Sequence, residues 1–260
     1  MIVLYETADA LRNGGWIDEL KKFGSFELVC WDDWSDDGLE ELAGRLSGSL
    51  VLFRVRRPSA ARFLEDRKIR LVNRAEVNRI ANDKWQSFQF MQLMGVPVIP
   101  TFKEASDFPC VMKTVDGHGG TGVELIGSAA EIPEATSHLI FQPVVQHVAD
   151  VRVYVIGEGV AGGVKRSSVD SFKANYSLGG QAEAYNVTAA QEQDVLKIAR
   201  ALKSAYIGVD FLLLPDGRHL FNEIEDPVGA RSFYETHEEN IAELLVQHLV
   251  KLEKDAPFRP

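Results

Sequence analysis

The chain has 260 residues, enough to bury a sizeable core divided into two or three lobes, and its 45% hydrophobic and 25% charged content is that of an ordinary globular protein. A formal net charge of −10, with no basic run anywhere, argues against nucleic acid or another polyanion as partner. No stretch nears the ~20 apolar residues a membrane helix requires, and no basic, long apolar leader is present, so the cytoplasm is the expected location and no membrane partner is expected. Cys30 and Cys110 each lie in an apolar run, where buried free thiols are expected in place of a disulfide.

Residues 1–74 read as alternating strands and helices. Strands are predicted over 2–6, 27–31, 49–55 and 70–73, and helices over 14–23, 37–46 and 58–67, the last opened by Pro58. That alternation predicts an α/β lobe built on a small open, mostly parallel sheet. Ligands of such sheets lie beyond the carboxyl ends of the strands, which is where Arg54, Arg56 and Arg57 fall. Three arginines in four positions make a carboxylate or phosphate site the sharper expectation, and a solvated surface cluster the plainer one. Helical periods over 75–82 and 84–94 follow, the second stopped by Gly95 and Pro97, and an extended linker runs to Thr101.

Residues 109–126 are the most informative stretch. A strand carrying Lys113 enters a loop with Gly117, Gly119, Gly120 and Gly122, and a second strand leaves over 123–126. Glycine lets backbone approach a ligand with no Cβ in the way. Successive amides in such a loop form a concave anion site, to which a nearby ammonium adds point charge for phosphate. The lysine precedes the glycines, so this is not a P-loop; a strand follows them, so it is not a dinucleotide fingerprint. Taken alone, the segment reads equally as a structural hairpin with a mobile tip.

Beyond it an apolar strand over 138–145 contains Phe141-Gln142-Pro143, and strands over 150–157 and 159–166 carry Asp150, Arg152 and Arg166. Another strand spans 183–187, and a helix over 188–205 begins with Thr188 as N-cap and Gln191 in the capping-box position. A hairpin over 207–214 and 219–225 carries Asp210 on one strand and Glu223, Glu225 and Asp226 at the end of the other; a last helix covers 240–254. Residues 223 and 225 lie two apart and share one strand face. Carboxylates converging there repel one another unless a cation sits between them, and an all-oxygen set suits Mg²⁺ or Mn²⁺ bridging nucleotide phosphates, not zinc. Solvated acidic strand ends in an acidic protein are the alternative.

The order of these features resembles the ATP-grasp superfamily and, within it, the RimK-like carboxylate–amine ligases. Asn82-Asp83-Lys84 is similar to the Asp-Lys that opens the ATP-grasp region, and Gly95-Val-Pro-Val-Ile-Pro-Thr101 to its continuation. Asp150-Val-Arg152-Val, Lys165-Arg166 and Phe172-Lys173-Ala-Asn175 with Gly179-Gly180 resemble the RimK-like set. The resemblance covers roughly residues 70–252 and implies an ATP-grasp domain over 75–260, α+β in character, with a glycine-flap lobe at about 102–146. Its cofactors would be ATP and Mg²⁺ (or Mn²⁺). By that match Lys84, Lys113, Gly117, Gly119 and Gly120 contact the nucleotide, and Gln142, Pro143 and Val145 form the hinge that reads adenine. Asp150 would sit near the ribose, and Lys173 and Asn175 near the triphosphate and metal. Arg166, Lys113 and Asn175 are the catalytic candidates, with Arg166 facing the transferring phosphoryl group.

Asp210, Glu223 and Glu225 are the metal candidates, and Arg54, Arg56 and Arg231 the substrate candidates. The sequence departs from the family pattern at two of these sites. Pro143 stands where glutamate is usual and has no N–H, so an adenine contact would use the Pro143 C=O and the Val145 N–H. Glu225 replaces the asparagine of Glu-x-Asn, which adds negative charge and bears on metal affinity. The implied chemistry is ATP-dependent joining of a small-molecule or peptide carboxylate to an amine through an acyl phosphate. A phosphotransferase on the same fold, and a nucleotide-binding module without turnover, are the alternatives. The sequence is compatible with a homo-oligomer and names neither substrate.

Overall fold

The computed structural model describes residues 1–167 and 181–255. Its first sheet has the order β2-β1-β3-β4, all parallel: β1 (Ile2–Tyr5), β2 (Glu27–Cys30), β3 (Leu50–Phe53) and β4 (Arg70–Val72). Helices α2 (Gly14–Phe23), α3 (Asp36–Leu46) and α4 (Pro58–Asp66) cross between the strands, and a short α1 (Thr7–Arg12) precedes α2. The strands β1 and β3 are buried throughout, as strands covered on both faces must be. The edge strand β2 is not. It alternates exposed and buried residues and leaves Cys30 exposed, against the expectation of a buried thiol, while Cys110 is buried; both are free.

Helices α5 (Ala75–Ala81) and α6 (Lys84–Met94) lead from this lobe. Asp83 caps α6 by accepting from the backbone N–H groups of Trp85 and Gln86 at 2.9 and 3.0 Å, and Gly95 closes it at φ 65°. Lys84 is thereby fixed at the first helical position. A three-stranded antiparallel sheet, order β6-β5-β7, follows: β5 (Cys110–Thr114), β6 (Val123–Ile126) and β7 (Leu139–Pro143). Its small core gathers Cys110, Met112, Ile126, Leu139 and Phe141.

The third sheet, order β10-β9-β8-β11-β12, is antiparallel and holds β8 (Ala149–Ile156), β9 (Gly159–Ser167), β10 (Gln181–Tyr185), β11 (Tyr206–Leu213) and β12 (His219–Glu225). Helix α7 (Ala189–Leu202) begins at the predicted Thr188–Gln191 capping box. It packs with α5 and α6 on one face of the sheet, over Val151, Val153, Val209 and Phe211. The opposite face meets α8 (Arg231–Thr236), α9 (Ile241–Asp255) and the N-terminal lobe in one core, in which Val3, Leu20 and Leu52 join Tyr154, Phe233 and Leu245. Burying each such large side chain stabilises the fold by about 1.5–3 kcal/mol, so the two lobes hold each other in register. No helix among the described residues is long and apolar enough to cross a membrane.

Candidate active site

The strand register of the third sheet builds the charged centre. Residues directly opposite in antiparallel strands share a face, and the pairs here are Asp150 with Arg166, Arg152 with Asp210, and Asp210 with Glu223. Acid therefore faces base between β9 and β8 and between β8 and β11, whereas acid faces acid between β11 and β12. Arg152 donates to both oxygens of Asp210 at 2.7 and 2.6 Å and to Glu225 at 2.9 Å. Arg166 donates to Asp210 at 2.6 Å and also to Asp150. Burial would raise the pKa of Asp210, but the two guanidinium groups hold it below the usual carboxylate range. The arginine pair is thus paired ion for ion; it is not a pair of lone buried cations, which would be costly.

One irregularity re-aims a side chain. The register of β11 against β12 slips after Asp210, which faces Glu223, whereas Phe211 faces Phe221. Asn222 is the extra residue of a β-bulge, which lets both Asn222 and Glu223 line the cleft. Lys113, on β5, donates to Asn222 Oδ1 at 3.1 Å. Burial lowers the Lys113 pKa to about 8, Glu223 opposing that shift and Lys84 adding to it.

The glycine loop closes over this centre. The Lys84 ammonium donates to the Gly117 carbonyl, and its backbone N–H to Val115 O at 2.8 Å. A Cβ on Gly117 would strike Thr114 Oγ1 and the Thr121 carbonyl, and Gly122 sits at φ 68° against the Thr114 side chain. Here the predicted glycines are required by close approach and by a positive φ. The cleft beneath is lined by Lys84, Lys113, Gly117, Gly120, Asp150, Arg166, Asp210 and Glu223, and at its far end by Gln142, Pro143, Val145 and His147. The Gln142 side-chain amide donates to Thr101 at 2.8 Å and fastens the linker. His147, unremarked in the sequence, shares a 2.9 Å hydrogen bond with the Val145 carbonyl. Gly119 lies on the side of a second, adjoining cavity, and Lys173 and Asn175 lie outside the described residues.

Oxygens of Asp210, Glu223 and Glu225 lie within 4.8 Å of one another, the convergence expected from the sequence. The donor set is all carboxylate and suits a hard divalent cation. Burial, then repulsion from Glu225, raises the Glu223 pKa to about 7, although 27% of its side chain stays open toward the cleft. Added positive charge would favour its ionised form, so the residues fit such an ion. Both oxygens of Asp210 already accept from arginine, however, which leaves Glu223 and Glu225 the freer donors.

The substrate arginines divide three ways. Arg54 is buried, donates to the Tyr5 hydroxyl at 3.0 Å and to the Val228 carbonyl at 2.8 Å, and lies over the Tyr5 and Trp16 rings. It clamps the lobes together and is absent from the lining of either cavity, a correction to its assignment as a substrate group. Arg56 reaches across from the N-terminal lobe to Glu225 at 3.8 Å and, with Lys84, Gly117 and Glu223, lines a recess at the same end of the cleft. Arg231 stands exposed at the start of α8, in the second cavity. Asp226 was missed as an organising residue. It accepts from Asn73 at 2.8 Å and Asn78 at 3.2 Å, and its carbonyl from Asn82 at 2.9 Å, fastening the segment after Glu225 to the N-terminal half.

A cleft held between a glycine hairpin and a charged antiparallel sheet is the arrangement of ATP-grasp proteins. The chain belongs to the RimK-like ATP-grasp family, whose model matches residues 81–249. It is 30% identical over 191 residues to an uncharacterised protein of Mycoplasma genitalium, covering 69% of this chain and 67% of that one. It is 28% identical to a probable alpha-L-glutamate ligase of Pasteurella multocida, covering 73% and 67%, and 28% identical to N-acetylaspartylglutamate synthase A of Homo sapiens, covering 78% and 60%. The fold is also that of the ATP-grasp ligase PsnB, at TM-score 0.68 and 17% identity over 98% of this chain and 99% of that chain. D-alanine–D-alanine ligase from Bacillus anthracis gives TM-score 0.70 at 15% identity, covering 97% of both chains.

Proposed function

We propose that the protein is an ATP-dependent carboxylate–amine ligase that works through an acyl phosphate and releases ADP and phosphate. The observation that carries this reading is the convergence of Lys84, Lys113, the glycine loop and Arg166 with three carboxylates in one cleft. No serine, threonine or cysteine lines the cleft among the described residues, and transfer of a phosphoryl group needs no such nucleophile: positioning and charge stabilisation supply most of its catalysis.

In this reading the Pro143–Val145 hinge holds adenine, Lys84 and Lys113 hold the phosphates, and Asp150 serves Arg166 in place of the ribose, since its carboxylate is bound to that guanidinium. Lys173 and Asn175 remain assigned to the triphosphate by family resemblance alone. Arg166 faces the phosphoryl group in transfer, and the closed loop keeps water from the acyl phosphate so that an amine consumes it. Glu223 and Glu225, with Asp210, would hold Mg²⁺ or Mn²⁺, which supplies charge neutralisation for the phosphates. Arg56 offsets the extra negative charge that Glu225 brings.

The test is product analysis with ATP, Mg²⁺, candidate acids and hydroxylamine. ADP, phosphate and hydroxamate in equal amounts support the ligase. ADP with a phosphorylated acceptor and no free phosphate replaces it with a kinase. A second reading, nucleotide binding without turnover, draws on the arginines that occupy both oxygens of Asp210; ATP binding with no acid-dependent ADP would establish it.

A further inference from the structure

Past Arg166 the cleft opens into a second cavity of 480 Å³, set between α2 and α8, that the nucleotide reading does not use. Arg152, Arg166 and Glu225 stand on the side shared with the charged sheet. Arg12, Gly15 and Glu19 come from the N-terminal lobe, and Arg231 from the opposite wall. On a chain of net charge −10 this is a basic recess, with four guanidinium groups against two carboxylates.

Most of those charges are already matched. Arg12 is paired with Asp9, Arg152 with Asp210 and Glu225, and Arg166 with Asp150 and Asp210. Glu19 accepts from Lys22 and from Asn240. Arg231 is exposed and has no carboxylate partner among the described residues. A planar fork of donors of this kind suits a carboxylate or phosphate. Gly15 supplies the room: a Cβ there would meet nothing within 4 Å. Nor does helix formation ask for it, since glycine inside a helix is about 1 kcal/mol worse than alanine.

We propose that this cavity receives the carboxylate substrate and that this substrate carries a second anionic group. Its reacting carboxylate lies at the Arg166 end and its second anion on Arg231, with Gly15 setting the space between. The inference rests on the ligase reading. In the step concerned, a carboxylate oxygen attacks the γ-phosphorus and the bond from that phosphorus to the β,γ-bridging oxygen breaks, so that ADP leaves with its electron pair. The amine nitrogen then attacks the acyl carbon, phosphate departs, and the amine's proton passes to solvent.

The experiment uses the full chain with ATP, Mg²⁺ and hydroxylamine as a general amine, so that any acyl phosphate is trapped as hydroxamate. Acids are compared in matched pairs: butyrate with succinate, valerate with glutarate, and 3-phosphonopropionate beside succinate. The expected result is a KM at least tenfold lower for each dianion than for its monoanionic match. Arg231→Met should collapse that ratio while the KM for ATP stays put. Gly15→Leu, which favours the helix and fills the cavity, should raise the dianion KM at least tenfold without lowering the melting temperature.

Equal KM values for mono- and dianions in the wild type, or an unchanged ratio in Arg231→Met, would overturn the inference and leave the ligase standing. An unaltered dianion KM in Gly15→Leu would also overturn it, by removing the cavity from the substrate's path. Absence of both hydroxamate and ADP with every acid would overturn the ligase reading, and this inference with it.

Discussion

Arg152 is the residue whose loss the charged centre should feel most. It is 9% exposed, and it donates twice to Asp210 and once to Glu225. In Arg152→Met the aliphatic stem is kept and the charge removed. Truncating one partner of a buried ion pair costs about 3–5 kcal/mol, because the other charge is left uncompensated. Asp210 retains Arg166 at 2.6 Å, and Glu225 retains Arg56 only at 3.8 Å, so the lower end, about 3 kcal/mol, is expected here. For a chain of this size that corresponds to a melting temperature lower by about 6–12 °C. A divalent cation binding the folded state at a hundred times its Kd would restore about 2.7 kcal/mol. Mg²⁺ should therefore raise the melting temperature of the variant by several degrees more than that of the wild type. Thermal denaturation followed by circular dichroism, with and without Mg²⁺, measures both quantities. A loss below about 2 °C, or equal responses to Mg²⁺, would refute the claim that Arg152 holds Asp210 and Glu225 together.

Lys113 has its pKa depressed to about 8, and bound phosphates would draw its proton back. The free protein loses that proton near pH 8 and the complex keeps it, so ATP affinity should be flat below pH 8 and fall up to tenfold per unit above it, with proton uptake on binding; calorimetry in buffers of different ionisation enthalpy reads both. Lys113→Met should abolish the pH dependence and weaken ATP binding at least tenfold with the fold intact. Glu225→Asn removes the second-largest cause of the raised Glu223 pKa, so the Glu223 pKa should fall below about 7 and turnover should require more Mg²⁺; carboxyl NMR and a metal titration of ADP release check the two halves. Gly117→Ala places a methyl against Thr114 and the Thr121 carbonyl, so kcat/KM should drop at least tenfold while the melting temperature holds, because the loop tip is displaced and not the core.

What the sequence made legible followed from local pattern. Alternating apolar runs gave the parallel sheet, the Thr188–Gln191 box gave the start of α7, and the two-residue spacing of Glu223 and Glu225 gave the acidic face. The family reading rested on motif order and holds. What stayed hidden depends on partners far along the chain. Arg54 lies at a strand end, as a ligand-binding arginine would, but its guanidinium is used up by a carbonyl 174 positions away. Asn222 reads as an ordinary strand residue, and only the slip of β12 against β11 turns it toward Lys113. Cys30 sits in an apolar run but ends an edge strand, a placement that strand order decides and local composition does not. The short α1 and α8 carry too few residues to show a helical period at all.

The family model begins at residue 81, yet residues before that point line the candidate site. Arg56 supplies a cation beside Glu225 and Lys84, and Arg12, Gly15 and Trp16 supply a wall of the second cavity. The same lobe holds the segment that carries Glu225 and Arg231. Asn73 grips the Asp226 carboxylate, with Asn78 of α5 beside it, and Arg54 grips the Val228 carbonyl. A shift of the N-terminal lobe would therefore move the candidate metal ligand and the candidate anion partner together. This makes the N-terminal lobe part of the proposed acceptor site, with the charged sheet and glycine loop left to the nucleotide. Two chains alike over the matched family region and different before it would then share the phosphoryl chemistry and differ in the acid they take.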